Sequence, residues 1–450
     1  MSPGTDPDGE CAPGVCDGLG GCVKGSHLWS TRLGDSDMQM GSDVAVDGVD
    51  NVLVAGWLSG TADLGGGPLE SAGSWDVFVA KYDKDGKHLW GKRFGDASKQ
   101  MGDAVAVDAG GDVVVAGHFE GSVDFGGGPL TSVGGYDLFV VKLDPNGKHL
   151  WSKRFGAAGY EQAPQIRVDG AGAVLLTGFF EGTVDFGGGP LVSAGYADIF
   201  VAKLDKDGKH LWSKGFGADG QDTGDGIAVD GTGSALVTGA CQGTVDFGGG
   251  PLPGAGGDDV FVAKFDKDGK HVWSKRAGNG QNQRGLALAL DAFGSSVVTG
   301  WFFGAIDFGG GLLVSAGGYD IFVAKLDKDG KHVWSKRFGD GSEQFGFGIA
   351  VDGAGSVVLT GQFVGTVDFG GGPLASAGAE DIFVAKLHKD GKHLWSKRFG
   401  DVKFQSSRSI AADASGNALV TGAFGGTVDF GGGLLVSAGG HDVFLVKFGP

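Results

Sequence analysis

The side chains best suited to binding chemistry are aromatic rings at two positions of a tandem repeat. The chain of 450 residues holds seven copies of a 61-residue unit. In three copies both positions carry an aromatic or imidazole ring, giving the pairs Trp57 and Trp75, His118 and Tyr136, and Trp301 and Tyr319. Flat ring faces suit sugars or partner side chains, so we predict that each pair is in contact and forms a ligand site. The alternative is that each pair only packs the glycine-rich loop beside it.

Catalytic constellations are absent from the sequence. No G-x-S-x-G or H-E-x-x-H motif and no paired glutamate arrangement occurs. Each repeat tryptophan is preceded, two residues earlier, by a histidine: His27, His88, His149, His210, His271, His332 and His393. Seven equivalent copies cannot all act as the base of one centre, and residues i and i+2 of a strand share a face. We therefore expect each histidine to pack beside its tryptophan, and we predict no enzymatic activity, no cofactor and no metal.

Two aspartate turns resemble functional motifs, but a structural interpretation is favoured for both. The DKDG turn at Asp83 starts like a calcium loop, yet its twelfth position, which needs Glu, is Phe94. We expect a hairpin turn with Gly86 in the left-handed conformation. The DFGGG string at Asp124 lacks the other kinase motifs, and its glycine amides can donate to the aspartate. It predicts a self-capping turn.

Lysine and aspartate also recur once in every repeat. The lysines of the VAK segment are Lys81, Lys142, Lys203, Lys264, Lys325, Lys386 and Lys447. The aspartates that follow the segment GIAVD or its equivalents are Asp47, Asp108, Asp169, Asp230, Asp291, Asp352 and Asp413. A largely buried lysine is costly unless it is paired. The sequence therefore predicts a sevenfold set of Lys–Asp ion pairs.

The repeat predicts an all-β fold. Its marker is a tryptophan that recurs every 61 residues, at Trp29, Trp90, Trp151, Trp212, Trp273, Trp334 and Trp395. Repeat six holds four strand-like segments, HVWSKRF, GIAVD, SVVLTGQFVGTV and DIFVAKL, bounded by Gly or Asp. No segment has a sustained apolar period of 3.6, so we expect no helices.

Seven repeats of four strands are typical of a single closed seven-bladed β-propeller. The repetitive part begins at His27 with a spare strand and ends at Phe448, before the last repeat has its fourth strand. Pairing the two ends closes the ring and removes both strand edges, whereas an open solenoid needs polar caps. We predict a propeller over residues 27–450, preceded by a disordered, cysteine-containing tail over residues 1–26.

The strand order assigns the loops to two faces. We predict that GIAVD is the innermost strand of each blade and HLWSKRF the outermost. The loop RFGDxxxQxG and the long loop TVDFGGGPLxSAGxxD then lie on one face, which we call the top face, together with the aromatic pairs. The turns VDxxG and DKDGK lie on the opposite, bottom face.

The net charge of the chain limits the classes of partner that we expect it to bind. The formal net charge of −18 repels phosphate backbones and anionic membranes, so nucleic acid is not expected to bind. No apolar run reaches the roughly 20 residues needed to span a bilayer. No basic stretch followed by an apolar stretch stands at the N-terminus, so no signal peptide is expected in this sequence. We expect a monomer that binds a glycan or a protein.

Three of the four cysteines, Cys11, Cys16 and Cys22, lie in the N-terminal tail. An odd number in a segment rich in Gly, Pro and Asp predicts the end of a disulfide-rich extracellular module. A zinc site is the weaker alternative, because the tail has no histidine. Cys241 stands where five of the other six repeats carry Phe, so we expect a buried apolar residue.

The stretch GIAVDGAGSVVLTG, together with DIFVAKLDKDGKHVW, resembles the bacterial seven-bladed β-propeller repeat known as SBBP. DFGGG stands here where that family often has Asp-Phe-Pro. AKLDKDGKHVW is also similar to the docking-tryptophan motif of quinoprotein propellers, which implies a tryptophan between blades. The resemblance implies a secreted or cell-envelope protein, and we interpret the chain as a non-catalytic binding or surface-display module. A purely structural scaffold is the alternative, and a propeller enzyme is the third.

Overall fold

The computed structural model describes the backbone of residues 15–16 and 22–450, and the side chains from Lys24 onward. These residues contain no helix, and hence no helix long and apolar enough to cross a membrane. Seven antiparallel sheets of four strands each follow one another along the chain. The predicted seven-bladed β-propeller is confirmed.

Each blade consists of an inner, a second, a third and an outer strand, and the inner strands of neighbouring blades contact one another around a central channel. The inner strands are Gln39–Val46, Gln100–Val107, Glu161–Val168, Thr223–Val229, Gln283–Leu290, Gln344–Val351 and Gln405–Ala412. The second strands are Val52–Leu58, Val113–Phe119, Val174–Phe180, Ala235–Cys241, Ser296–Phe302, Val357–Phe363 and Ala418–Phe424. The third strands are Asp76–Tyr82, Asp137–Leu143, Asp198–Leu204, Asp259–Phe265, Asp320–Leu326, Asp381–Leu387 and Asp442–Phe448. The outer strands are His88–Phe94, His149–Phe155, His210–Phe216, His271–Ala277, His332–Phe338, His393–Phe399 and, for blade 7, His27–Leu33.

The hydrophobic core lies between the blades. Every residue of all seven third strands is buried, because each sheet is covered on both faces by its neighbours. One cluster, for example, joins Leu53 and Val79 of blade 1 to Val113, Phe119 and Phe139 of blade 2. Cys241 is fully buried as expected, and burial raises the pKa of its thiol to about 12.

The two ends of the chain close the ring in blade 7. The strand His27–Leu33 pairs antiparallel with Asp442–Phe448, as predicted. The bond from Gly449 N to Ser26 O, 2.7 Å long, continues this pairing into a closing turn. Upstream, the backbone of Val15–Cys16 pairs with Cys22–Val23. The predicted disulfide chemistry of the tail lies outside the described side chains.

Short hairpins on the top face differ from the prediction of a single long second strand. Six blades carry an extra two-stranded hairpin: Thr61–Asp63 with Pro68–Glu70, Ser122–Asp124 with Pro129–Thr131, Thr183–Asp185 with Pro190–Val192, Ala305–Ile306 with Leu313–Val314, Thr366–Val367 with Leu374–Ala375, and Thr427–Asp429 with Leu434–Val436. Blade 4 has a single bridge there, between Val245 and Leu252. The predicted aspartate cap is present, since Asp124 Oδ1 accepts bonds from the amides of Gly126 and Gly128.

The expectation that histidine and tryptophan pack side by side is wrong. A bulge at Leu211 in the outer strand makes His210 pair with Leu204 and Trp212 with Lys203. Adjacent residues of a strand face opposite sides, so the two rings lie on opposite faces of the blade. The histidine packs against the glycine turn of its own blade, and its Nε2 lies 3.1 Å from Ser213 Oγ.

The tryptophans join each blade to the next. Trp212 Nε1 donates to Lys267 O in the following DKDG turn at 3.0 Å. The ring lies over Gly269, where a Cβ would come within 2.7 Å of it and φ is +77°. Trp395 is buried and the other six repeat tryptophans are partly buried. The predicted inter-blade role of these residues is confirmed.

The predicted Lys–Asp ion pairs form in all seven blades. Each lysine Nζ lies 2.7–3.0 Å from the aspartate that follows the inner strand of the same blade. Burial raises the pKa of Asp230, but hydrogen bonds from Thr232 and Lys264 outweigh it and bring the pKa to about 2. These pairs join the inner and third strands on the bottom face.

Candidate functional site

The two aromatic positions rest on a rigid edge of each blade. Trp57 is the second-last residue of its second strand, and Trp75 directly precedes the third strand. The carboxylate of Asp76, which opens that strand, accepts hydrogen bonds from Ala72 N at 2.6 Å and Arg93 Nη1 at 3.0 Å. The equivalent aspartate is buried in every blade. The loop that carries the second ring is therefore fixed at its base.

Trp57 and Trp75 are in contact, as the sequence predicted. Their ring centres are 4.8 Å apart with an angle of 30° between the planes, so the rings are stacked. Both rings are partly exposed. Lys99 Nζ lies 4.9 Å from the centre of the Trp75 ring, within range of a cation–π contact. This pair therefore offers ring surface next to a hydrogen-bond donor.

His118 and Tyr136 also touch, but they differ in exposure. Their ring centres are 5.1 Å apart, and His118 is only 1% exposed. Its Nδ1 lies 2.7 Å from Asp103 Oδ2. Tyr136 is partly exposed and lies 4.9 Å from Tyr160 of the next blade, which stacks on Phe179 at 5.9 Å. His118 thus supports the tyrosines and cannot itself present a ring face.

The third pair belongs to a larger group, which we call the blade 5–6 cluster: Trp301, Phe303, Tyr319, Phe345 and Phe347. The centres of Trp301 and Tyr319 are 4.7 Å apart. Phe303 and Phe345 lie 6.0 and 5.8 Å from Tyr319, and Phe347 stacks on Phe345 at 6.0 Å. All five side chains are partly or more fully exposed, and Phe303 reaches 37%. Five adjacent exposed rings form an apolar surface of the kind that marks interaction sites.

An arginine extends this cluster toward blade 7. Arg408 lies with Cζ 4.9 Å from the centre of the Phe347 ring, and both residues occupy the bulge of their inner strands. Within the described part of the chain Arg408 has no ion pair, whereas Arg284 binds Asp225 through two bonds of 2.8 and 2.6 Å.

Blades 3, 4, 6 and 7 do not carry a ring at both positions. In blade 4, Gln242 Nε2 donates to Asp258 Oδ1 at 2.7 Å. In blade 7, His441 packs against Phe404 at 4.9 Å. The predicted pairs lie in blades 1, 2 and 5, and the rings that contact them extend these groups into blades 3 and 6.

Sequence reasoning missed Phe303, Phe345, Phe347 and Arg408. These residues occupy positions of the repeat at which the side-chain type changes between copies, and that variation is what could have identified them. Phe347 and Arg408 share a column with Ser42, Asp103, Pro164, Asp225 and Leu286. Nothing in the sequence alone shows that this column is a bulge beside the aromatic pairs.

A second missed feature is a buried carboxylic acid on the top edge. Five inner strands begin with Gln, but the same position of the repeat is Glu161 in blade 3 and Asp222, directly before the strand, in blade 4. Burial, followed by the nearby charge of Asp137, raises the pKa of Glu161 to about 8. Burial also raises the pKa of Asp222 to about 6. Both groups are buried between blades, so they affect stability and do not line a ligand site.

The described residues contain no group of three or more His, Cys, Asp or Glu side chains arranged to hold a metal ion. The DKDG turns instead hold their own backbone, since Asp83 Oδ1 accepts bonds from Asp85 N at 3.0 Å and Lys87 N at 2.9 Å. Gly86 has φ of +83°, in the left-handed region expected of it.

No known protein family profile matches the chain. An uncharacterized WD repeat-containing protein of Acanthamoeba polyphaga mimivirus is 20% identical over an alignment of 500 residues, covering 88% of this chain and 36% of that protein. Regulatory protein FlaEY of Caulobacter vibrioides is 25% identical over 457 residues, covering 93% of this chain and 46% of that protein. The chain spans less than half the length of these relatives.

Among solved structures, that of U3-55K is similar with a TM-score of 0.51 and 9% sequence identity. The match covers 94% of this chain and 99% of the U3-55K chain. At this identity the likeness shows the fold alone. Together with the ring of sheets, it identifies the chain as a seven-bladed β-propeller.

Proposed function

We propose that this propeller is a non-catalytic binding module whose top face takes a carbohydrate. The observation that carries the proposal is the Trp57–Trp75 pair, two stacked and partly exposed rings on a rigid strand edge. An aromatic face packs well against the apolar face of a sugar ring. A structural pair would not need surface left open to solvent.

Polar groups beside the rings support a sugar as the ligand. Lys99 lies over Trp75, and the next two blades add the hydroxyl groups of Tyr136 in blade 2 and Tyr160 in blade 3. Burial and the carboxylate of Glu120 raise the pKa of Tyr136, so its hydroxyl stays protonated and able to donate. Ligand sites characteristically combine aromatic surface with a few such polar groups.

A protein-binding scaffold is the second candidate, and the blade 5–6 cluster favours it. This surface consists mainly of aromatic rings, and Arg408 lies beside it. Exposed aromatic residues and arginine are enriched where proteins bind proteins. A relative with WD repeats is consistent with such a role, although fold alone does not set function.

The proposed location is outside the cell or in the cell envelope of a bacterium. This rests on the resemblance of the repeat to the SBBP type and on the three cysteines of the tail, which suit an oxidising compartment. The strongly negative charge keeps such a module away from anionic membranes and nucleic acid.

A glycan array with the whole chain tests the proposal. We expect wild type to retain a defined set of glycans, and the double variant Trp57→Ala with Trp301→Ala to lose them. Repeats four and seven carry Ala240 and Ala423 at this column, so alanine is compatible with the fold and the thermal midpoint should change little. Trp75→Ala should also reduce retention, since it removes the stacked partner.

Two outcomes separate the alternatives. If the array is blank and the double variant melts several degrees lower, the rings are packing residues and the scaffold interpretation replaces the proposal. If Trp301→Ala alone abolishes capture of a protein while Trp57→Ala does not, the blade 5–6 cluster is the working surface.

A further inference from the structure

Blade 5 carries an asparagine where four other blades carry an aspartate that holds the top-face hairpin. The asparagine is Asn279, in the loop that leads into the inner strand of blade 5. The aspartates at the same position of the repeat, in blades 1, 2, 6 and 7, are Asp35, Asp96, Asp340 and Asp401. In each of these four blades Oδ2 of the aspartate accepts a hydrogen bond of 2.7–2.8 Å from the amide that begins the hairpin. The equivalent amide in blade 5 belongs to Ala305.

The side chain of Asn279 cannot accept a bond from this amide. Its Oδ1 already accepts from Gln281 N at 3.0 Å and from Gln283 Nε2 at 2.8 Å. Rotating the side-chain amide by half a turn would place its nitrogen against these two donors, so its orientation is fixed. Nδ2 therefore lies 3.0 Å from the place that a Cβ at Gly304 would take, where the aspartates of blades 2, 6 and 7 have a carboxylate oxygen. Nδ2 and Ala305 N are both donors, whereas a carboxylate would accept from all three groups.

The residue after Asn279 is a glycine, which leaves the main-chain nitrogen free to attack the side-chain amide. Gly280 is exposed and Asn279 is partly exposed. Within the described residues Gly280 N makes no hydrogen bond. When this nitrogen bonds to Cγ of Asn279, the bond from Cγ to Nδ2 breaks, and Nδ2 leaves as ammonia with the proton of Gly280 N. Water then opens the succinimide ring, giving aspartate by opening at Cγ or isoaspartate by opening at the main-chain carbonyl.

The chain holds one other Asn-Gly pair, Asn146 and Gly147 in the bottom-face turn of blade 2, and its geometry differs. Gly147 is buried, and its nitrogen donates to Asp144 O at 2.9 Å. Asn146 N is held as well, by Asp144 Oδ1 at 2.9 Å. The attacking nitrogen is thus engaged at Asn146 and free at Asn279, so the fold protects only the first of two identical dipeptides.

We propose that Asn279 is a site of spontaneous deamidation, and that the aspartate formed there supplies the missing acceptor for Ala305 N. Blade 5 then holds its hairpin as the four aspartate-bearing blades do. The hairpin begins two residues after Phe303 of the blade 5–6 cluster, so the reaction adds a negative charge beside that surface. The site rests on the loop geometry alone and does not depend on the proposed function.

The test is to incubate the whole chain in mildly alkaline buffer and to follow both Asn-Gly peptides by mass spectrometry. In the folded protein Asn279 should deamidate about fivefold faster than Asn146, because the hydrogen bond on Gly147 N must break before that nitrogen attacks. In denaturant the two peptides should react at similar rates. Equal rates in the folded protein would overturn the proposal, and so would the same difference in denaturant, since local sequence would then explain it.

Gly280→Ala is the matched variant that blocks the reaction. Blade 2 carries Ala97 at this position, and a Cβ at Gly280 would come no closer than 3.6 Å to its surroundings, so alanine fits the loop. The methyl group hinders the attack, so deamidation at Asn279 should slow several-fold while Asn146 reacts as in wild type. An unchanged rate at Asn279 would reject the route through Gly280 N.

Asn279→Asp tests the structural consequence without the reaction. Freshly purified, this variant should melt about 1–2 °C above wild type, because its carboxylate gains the bond from Ala305 N. A midpoint at or below that of wild type would show that a carboxylate brings no bond at this position, and would overturn that half of the proposal.

Discussion

The substitution Glu161→Gln should stabilise the protein, and the gain should grow with pH. Glu161 is fully buried at the start of the blade 3 inner strand, where five other blades carry Gln. A Cβ placed at Gly156 would lie 2.5 Å from Glu161 Oε2 and 2.9 Å from Asp137 Oδ1, so the two carboxyl groups border the same point. Neither Glu161 oxygen has a side-chain hydrogen-bond partner among the described residues.

Whether stability rises or falls with pH follows from the direction of the pKa shift. Burial and the charge of Asp137 raise the pKa of Glu161 from 4.5 to about 8. Below pH 4.5 the group is protonated in both states and contributes no pH dependence. Between pH 4.5 and about 8 the unfolded chain loses the proton while the folded protein keeps it, so stability falls as pH rises. Above pH 8 the penalty is constant.

The size of the effect comes from the same shift. At about 1.4 kcal/mol for each tenfold change in proton concentration, the full penalty is about 5 kcal/mol. Solvent near the top edge screens part of it, and we expect about 2–4 kcal/mol. For a chain of this length the unfolding entropy is about 0.9 kcal/mol per kelvin, so each kcal/mol shifts the midpoint by about 1 °C.

The assay is a thermal melt of wild type and Glu161→Gln at intervals from pH 4 to pH 9. The difference in midpoint should rise by about 2–4 °C across this range and level off above pH 8. Adding Ala157→Asp to Glu161→Gln should raise the thermal midpoint further. Asp96 stands at the position of Ala157 in blade 2, and it accepts a hydrogen bond of 2.7 Å from Gln100. Gln283→Glu, the reverse change in blade 5, should create a loss with the same pH profile. A difference between wild type and Glu161→Gln that stays constant from pH 5 to pH 9 would refute the reasoning.

Three further outcomes are expected. Trp212→Ala should lower the free energy of unfolding by roughly 3 kcal/mol in chemical denaturation, the lower end for an aromatic residue cut to alanine, because its ring bridges two blades; an unchanged value would contradict the docking role. A chain that lacks residues 27–33 should associate in light scattering, since the strand Asp442–Phe448 would expose an edge; a stable monomer would contradict ring closure by this strand. The thermal midpoint should drop steeply between about pH 4 and pH 2, because Asp47, Asp108, Asp169, Asp230, Asp291 and Asp413 have lowered pKa values and lose their contribution as they protonate; a flat profile there would contradict the ion-pair role.

Residues identical in all seven copies predicted the architecture well. The spacing of the tryptophans predicted the number of blades. The points at which the repeats begin and end predicted that the strand at His27 closes the ring. The pairing of Lys81 with Asp47 also followed from sequence, since a buried lysine needs a partner and the repeat offers one at a fixed place. Each of these inferences used a periodicity that a closed ring must satisfy.

Local departures from regular strand geometry could not be predicted from the sequence. The bulge at Leu211 reverses the face of His210 relative to Trp212, and no residue type at that point signals it. The short hairpin at Thr366–Val367 continues the apolar pattern of the strand before it, so periodicity merges the two. Strand alternation predicts side-chain faces only where the register is regular.

The candidate site was predictable in part for the same reason. Trp57 lies in the second strand of its blade and Trp75 directly precedes the third, and these two strands pair regularly, so covariation between copies located a true contact. Phe347 and Arg408 sit on bulges of different blades, and only the closed ring brings them together. Contacts within a blade are encoded in one repeat, while contacts between blades depend on the rotation between repeats.

The difference between contacts within a blade and contacts between blades explains which positions of the repeat can take a new functional side chain. The tryptophan joins each blade to the next and the Lys–Asp pair joins two strands of one blade, so neither can change in one copy without weakening the ring. The residue at the bulge of the inner strand varies between copies instead, and its side chain contacts the neighbouring blade, as Asp225 does with Arg284 and Arg408 does with Phe347. Arg408 is a substitution of this kind, since Ser42 stands at the same position of repeat one. In a symmetric ring, a single such change creates a unique site, because the six other copies keep the scaffold intact.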